Sequence, residues 1–241
     1  MEEYVIQASD VRNGKTNFSH MAYRYILSRI LSLDLKPGDS LRVRDLAPKL
    51  GISPPPIERA LERLAGEGLV EFRPGKGPFV SEPTVSEVLE LYDVRLMFEL
   101  HAVREGIGQV DEPFLAQMDE LLGVHETACN ALKENYCHSL HLALTKADSD
   151  VHFHLISLWP NRKVESWYSQ ASTHIKSFQL VRKSWFYREG TVEEHRAIYQ
   201  ALENRNVVAA IDAIRRHEMA ARQSLLERAR MAELAESTQP R

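Results

Sequence analysis

Cysteine is nearly absent: the chain has two in 241 residues, Cys129 and Cys137, with no second pair. That excludes a disulfide framework or a cysteine zinc clip, and both thiols are expected to be packed or at the surface in a reducing compartment. No hydrophobic run approaches the roughly 20 residues of a membrane span. The opening MEEYVIQASDVRNGK holds no apolar signal-peptide core, so the expected location is the cytoplasm. An excess of positive charge is missing too. The net charge of −4 argues against a chain that coats nucleic acid by bulk attraction. Residues 1–83 nevertheless hold twelve basic against eleven acidic side chains, so the negative balance lies in the remainder. Neither a phosphate-cradling glycine loop nor a nucleophile elbow is present. What is there is ordinary for a globular chain of two modest domains, with 44% hydrophobic residues.

The chain is organised around residues 37–80, PGDSLRVRDLAPKLGISPPPIERALERLAGEGLVEFRPGKGPFV. Leu46, Ala47 and Leu50 form one apolar stripe, which predicts a helix over 43–50. Gly51 follows where a positive φ costs little, Ile52 plugs the corner, and Ser53 is a natural N-cap. Ile57, Ala60, Leu61 and Leu64 then have the spacing of a helix face packed on a core. Gly66 and Gly68 end that helix. Residues 69–72 read as a strand, 73–77 as a turn and 78–80 as the returning strand. Upstream, Met21, Tyr25, Ile26, Ile30 and Leu33 predict a helix over 18–33, and polar residues 1–17 a flexible arm. Helices followed by a hairpin make residues 18–80 a winged helix-turn-helix, whose second helix normally enters a major groove of duplex DNA.

Residues 81–85 form a polar, proline-broken linker, with a new N-cap at Thr84 or Ser86. Beyond it only helical periods occur, over 86–107, 112–132, 139–157, 162–181, 192–204 and 207–235, with a frayed tail at 236–241. The fold class expected is mainly α: a winged helix-turn-helix with a small β-hairpin, then an all-α bundle over 86–235.

A second constellation lies in that bundle. Asp150 and His154, four apart, project from one helix face. His195 follows in an E-H step and His217 in the last helix. Three nitrogens and one carboxylate from three helices suit a divalent transition metal such as zinc, nickel or manganese. With ten histidines in the chain a D-x-x-x-H pair also arises by chance, and a helix histidine is commonly a surface or hydrogen-bonded core residue. On this reading His152 points away, and His101, His125, His138 and His141 have no matching partner. Trp159, Trp167, Trp185, Tyr168 and Phe186 are expected as core or pocket wall.

The residues of the first third closely resemble the N-terminal domain of the GntR family of bacterial transcription regulators. They share the PG-x-x-L entry, R-D-L-A, L-G-I-S, P-I-x-x-A-L-x-x-L and the E-G-L-V wing with its glycines. The resemblance implies DNA contact by an arginine in R-D-L-A, kept here as Arg44. At two further arginine positions of the family this chain has Pro54 and Glu58. The expected DNA face is Arg44, Ser53, Arg59, Arg63, Arg73, Gly75 and Lys76. For Arg59 and Arg63 the alternative is a solvated helix face. The outcomes open are an altered operator, weak or partner-dependent binding, and lost DNA function.

The bundle resembles the FCD effector domain of the FadR-like branch of this family. That resemblance implies metal at Asp150, His154, His195 and His217, and an effector contact at Arg95; His174, on the helix over 162–181, is a further candidate that would touch either a metal ligand or the effector. Arg95 would clamp a ligand carboxylate bidentately or, equally, pair with Glu99 four residues on. The implied function is a ligand-responsive homodimeric regulator, a repressor rather than an activator, on a near-palindromic operator, with a small carboxylate as effector. The competing readings are a metal-dependent hydrolase or lyase, and an interaction module with weakened DNA binding.

Overall fold

The phase of each amphipathic segment decides which face it buries, and the buried faces close into separate cores. The computed structural model describes residues 11–12, 15–181 and 188–237, divided into a unit over Met1–Glu82 and another over Pro83–Arg241.

In the first unit, β1 (Val11–Arg12) and β2 (Lys15–Thr16) pair antiparallel, Val11 opposite Thr16. A short ladder thus occupies part of the segment expected to be an irregular arm. Helix α1 (Phe18–Leu31) starts at Asn17, whose side chain accepts from the His20 amide at 3.0 Å. Helices α2 (Val43–Leu50) and α3 (Pro54–Gly66) are joined through Gly51, whose φ of 63° is the left-handed conformation that closes α2. Strands β3 (Val70–Arg73) and β4 (Gly77–Val80) pair antiparallel from Val70 opposite Val80 to Arg73 opposite Gly77. Ile26, Ile30, Leu41, Leu46, Ile57, Leu61 and Leu64 form the core beneath them. Each such side chain, fully buried, is worth about 1.5–3 kcal/mol.

Ser53 has the extended backbone of an N-cap, yet its side chain makes no capping bond. The cause is the sequence that follows. Capping needs an amide hydrogen two or three residues on, and Pro54, Pro55 and Pro56 have none.

The second unit opens on a capping box: the Thr84 hydroxyl accepts from the Glu87 amide at 3.2 Å, and Glu87 accepts from the Thr84 amide at 2.7 Å. Helices α4 (Val85–Gly106), α5 (Glu112–Glu134), α6 (His138–Ile156), α7 (Arg162–Val181), α8 (Thr191–Glu203) and α9 (Val207–Ser237) follow, with a 3-10 turn at Ile107–Gln109. α5 packs on α6, α8 on α9, and α4 on both α7 and α9. Val103, Met118, Leu122, Leu155, Ile198, Leu202 and Ile214 are central to its core. Gly106 is required by contact, because a Cβ there would lie 2.3 Å from the Leu158 carbonyl oxygen.

Tyr168 is buried and Trp159 half-buried in one apolar cluster, whereas Trp167 is 56% exposed and so is no part of the core expected for it. Trp185 and Phe186 lie outside the described residues, as does the tail beyond Ser237. Cys129 and Cys137 are both free thiols, the first buried.

Candidate metal centre and DNA-contacting face

Helix α6 turns Asp148 and His152 inward. His152 Nε2 lies 3.3 Å from His195 Nε2 on α8 and 3.2 Å from His217 Nε2 on α9. Asp148 Oδ1 lies 3.8 Å from His195 Nε2 and 3.9 Å from His152 Nε2. The three histidines are buried and Asp148 is half-buried.

Of the four ligands expected from sequence, His195 and His217 come together here and Asp150 and His154 do not. Two residues along a helix is a rotation of about 200°, so the pair 150/154 leaves α6 on the far side from 148/152. Asp150 is paired there with Lys146. His154 stacks on Phe114 with ring centroids 4.1 Å apart and places Nε2 2.9 Å from the Phe114 carbonyl. The inward pair is therefore Asp148 and His152, and the expectation that His152 points away is corrected.

Carboxylates set the orientation of two rings. His152 Nδ1 faces Glu99 Oε1 at 3.0 Å, and His217 Nδ1 faces Glu194 Oε2 at 2.9 Å. Arg188 grips both Glu194 oxygens. The carboxylate on His217 Nδ1 favours the proton there and leaves its Nε2 as a lone pair. Three Nε2 atoms 3.2 and 3.3 Å apart cannot all be served by one shared proton. A cation satisfies them together: ligands bonded at about 2.0–2.1 Å to one ion stand about 3.0–3.4 Å apart. The donor set fits a borderline divalent ion.

Burial holds His195 and His217 well below the usual imidazole range, reinforced by neighbouring imidazoles and, for His217, by Arg95, which keeps both neutral as ligands must be. Burial also opposes charge on His152, but the Glu99 carboxylate overrides it and raises His152. Against the same desolvation, the imidazoles of His152, His195 and His125 hold Asp148 far below the usual carboxylate range.

A cavity of about 100 Å³ opens beside this cluster, lined among others by Tyr92, Arg95, His125, Asp148, Arg188 and His217. That is the volume of about three waters, a size suited to a small organic acid. Arg95 does reach the cavity wall, but its partner differs from the one its spacing suggests. It binds Glu218 of α9 at 2.5 and 2.7 Å, while Glu99 stands 3.7 Å away. Burial, with Glu99 adding to it and Arg95 opposing, raises the Glu218 carboxyl to about 7. His174 is on α7, as Phe178 and Gln179 of the cavity lining are, but is not itself among the lining residues. His125 and His141, set aside in the sequence, both line the cavity. The signal that finds Asp148 and His152 is the α6 stripe itself: His141, Leu144, Asp148, His152 and Leu155 repeat at three and four residues.

In the first unit, Arg42, Arg44, Gly75 and Lys76 line a groove between the start of α2 and the wing. All four are exposed. Arg59 is exposed on α3. Arg63 is committed elsewhere, stacked 3.8 Å over the Tyr23 ring and bonded to Glu67 at 3.0 Å, while the Tyr23 hydroxyl donates to Glu67 at 2.7 Å. Arg73 lies 4.4 Å over the Phe79 ring and pairs with Glu71, two residues back on the same strand.

The family model of bacterial regulatory proteins of the gntR family matches residues 18–80, and that of the FCD domain matches residues 90–221. The chain is 24% identical over 196 residues to YdhC of Bacillus subtilis, an uncharacterised HTH-type transcriptional regulator, covering 81% of this chain and 85% of that one. It is 26% identical over 176 residues to the Nta operon transcriptional regulator of Aminobacter aminovorans, covering 73% and 79%. The solved structure of E. coli McbR/YncC has the same fold, with a TM-score of 0.73 at 16% identity over 89% of this chain and all of that one. Both of these sequence relatives, YdhC and the Nta operon protein, are transcriptional regulators by name. Among the described residues no helix is long and apolar enough to cross a membrane. With both family models matched in order, the chain belongs to the gntR family of bacterial regulatory proteins: a DNA-binding transcription regulator with an FCD domain.

Proposed function

We propose that the helical bundle binds one divalent transition metal (zinc, nickel or manganese) through Asp148, His152, His195 and His217, and a small carboxylate effector in the adjoining cavity. The observation that carries this is the convergence of three imidazole Nε2 atoms and one carboxylate oxygen, with carboxylates behind two of the rings. When bound, the metal supplies a Lewis acid for an effector oxygen. Glu99 and Glu194 hold the His152 and His217 protons at Nδ1, and Arg188 fixes Glu194. Arg95, paired with Glu218, lines the cavity with its side chain.

The chain acts in the cytoplasm as a homodimer on a near-palindromic operator, with two winged helices on two half-sites. Arg44, Arg59, Gly75 and Lys76 approach the phosphates, joined by Arg42, while Arg63 and Arg73 brace α3 and the wing. Effector binding shifts the population between arrangements that differ in operator affinity, and the operator-bound form represses.

Elemental analysis of the purified chain tests the centre. Roughly one transition metal per chain is expected, lost in Asp148→Ala and His217→Ala and kept in Asp150→Ala. Metal absent from the wild type, or retained by both inward variants, overturns it.

A further inference from the structure

The outer face of α3 carries an unusual charge pattern for an element that enters DNA. Pro54, Glu58, Glu62 and Gly66 form one row at four-residue spacing, and every one is exposed. Among the described residues no ion pair or hydrogen bond holds the Glu58 or Glu62 carboxylate. Arg63, on the flank, is turned onto Tyr23 and Glu67. The start of the helix offers no backbone donor, since its first three residues are prolines. The polar side chains of this row are two carboxylates, which accept hydrogen bonds and donate none. Arg59, next to Glu58, is the exposed cation of α3 itself, and Arg42, Arg44 and Lys76 belong to the groove between α2 and the wing.

We infer that Glu58 is a specificity residue that reads a cytosine amino group in the operator half-site. The inference rests on the DNA-binding role of the first unit. Recognition helices contact base edges through residues near their N-terminus, and Glu58 is the fifth residue of α3. An ionised carboxylate only accepts. Guanine presents acceptors N7 and O6 in the major groove and thymine presents O4, so both repel it. Adenine offers a donor beside an acceptor, whereas cytosine offers the N4 amino group alone. Cytosine is the one base whose major-groove edge matches an acceptor-only side chain. The phosphate contacts of the α2–wing groove offset the general repulsion between Glu58 and the DNA backbone, and they carry no sequence preference.

The test is selection of bound duplexes from a randomised pool with the full chain, for the wild type, Glu58→Ala and Glu58→Gln. Circular dichroism confirms that each variant is folded. The wild type is expected to select one cytosine per half-site, favoured about 10-fold or more over the other bases. Glu58→Ala should lose that preference at that position alone. Glu58→Gln should move it towards adenine, which pairs with an amide through N6 and N7. Uniformly tighter binding by Glu58→Ala, with position preferences unchanged, would show that Glu58 only repels phosphate and overturns the inference. A wild type that binds in a salt-sensitive way but selects no cytosine also overturns it while leaving DNA binding intact. A wild type that binds no duplex sinks both.

Discussion

His217 and His152 are alike in having a carboxylate on the nitrogen that faces away from the cluster. Glu194 is the more exposed of the two carboxylates, at 25% against 0% for Glu99, and is the better one to replace, because Arg188, the cation it pairs with, is itself partly exposed. Glu194→Gln is expected to weaken metal affinity by about 10- to 100-fold, read by chelator competition, with unchanged helicity; unchanged affinity would exclude a positioning role. The same rings predict an acid response in the metal-free chain. His195 and His217 have folded-state values well below the ordinary 6.5, so below that pH the unfolded chain binds more protons. Stability falls as pH drops through 6.5 towards the lower folded values, by up to about 1.4 kcal/mol per pH unit for each ring. His152 is raised instead, and its contribution is complete below 6.5 and lost as pH rises through its folded value. Glu218, raised to about 7, acts in the same sense as His152, while His125, His141 and His154 are lowered like His195 and His217. Five lowered rings against these two groups give a lower urea midpoint at pH 5.5 than at pH 7.5 with chelator present; an equal or higher midpoint would refute the assignment. The sequence made His195 and His217 legible but split the α6 pair wrongly. Asp148-Ser149-Asp150-Val151-His152-Phe153-His154 contains D-x-x-x-H in two frames, and spacing alone cannot choose between frames two residues apart. Only the apolar phase of Leu144 and Leu155 chooses, by placing 148 and 152 on the buried side.

At the scale of elements, periodicity located every helix of the bundle to within two residues at each end, because short polar loops interrupt long amphipathic runs. The N-caps were less legible. Ser53 and Thr84 are both good capping residues by type, yet Thr84 sits in a complete capping box and Ser53 caps nothing. The difference lies in the next three residues, not in the cap. Thr84→Ala should therefore cost about 1 kcal/mol, and Ser53→Ala no more than about 0.5 kcal/mol, the range of a surface change. Both are read from denaturant midpoints of the transition of the unit concerned. A loss at Ser53 equal to that at Thr84 would mean that its hydroxyl supports the fold after all. Gly106 makes the opposite case, a glycine closing α4 that must stay one. Its substitution by alanine drives a Cβ into the Leu158 carbonyl and should cost about 1–3 kcal/mol as overpacking, despite alanine's better helix propensity.

For the whole molecule, the decisive point is that each core closes within its own unit. The winged-helix core is drawn from residues 22–80, and the clusters of the bundle from residues 85–225. The metal-centre residues all lie in the second unit, so a ligand bound there stabilises that unit by mass action. Calorimetry of the full chain is expected to show two unfolding transitions. Zinc at about 100 times its dissociation constant should stabilise one of them by about 2.7 kcal/mol and leave the other in place. Leu61→Ala, which opens a cavity in the first core, should lower only the transition that zinc leaves in place, by about 2–5 kcal/mol. The two perturbations thus label the two units independently. A single transition that moves as a whole under both would show that the units unfold together. The bundle would then pass its metal-dependent stability directly to the DNA-binding unit, and effector control would have to be sought in folding rather than in the arrangement of the DNA-binding heads.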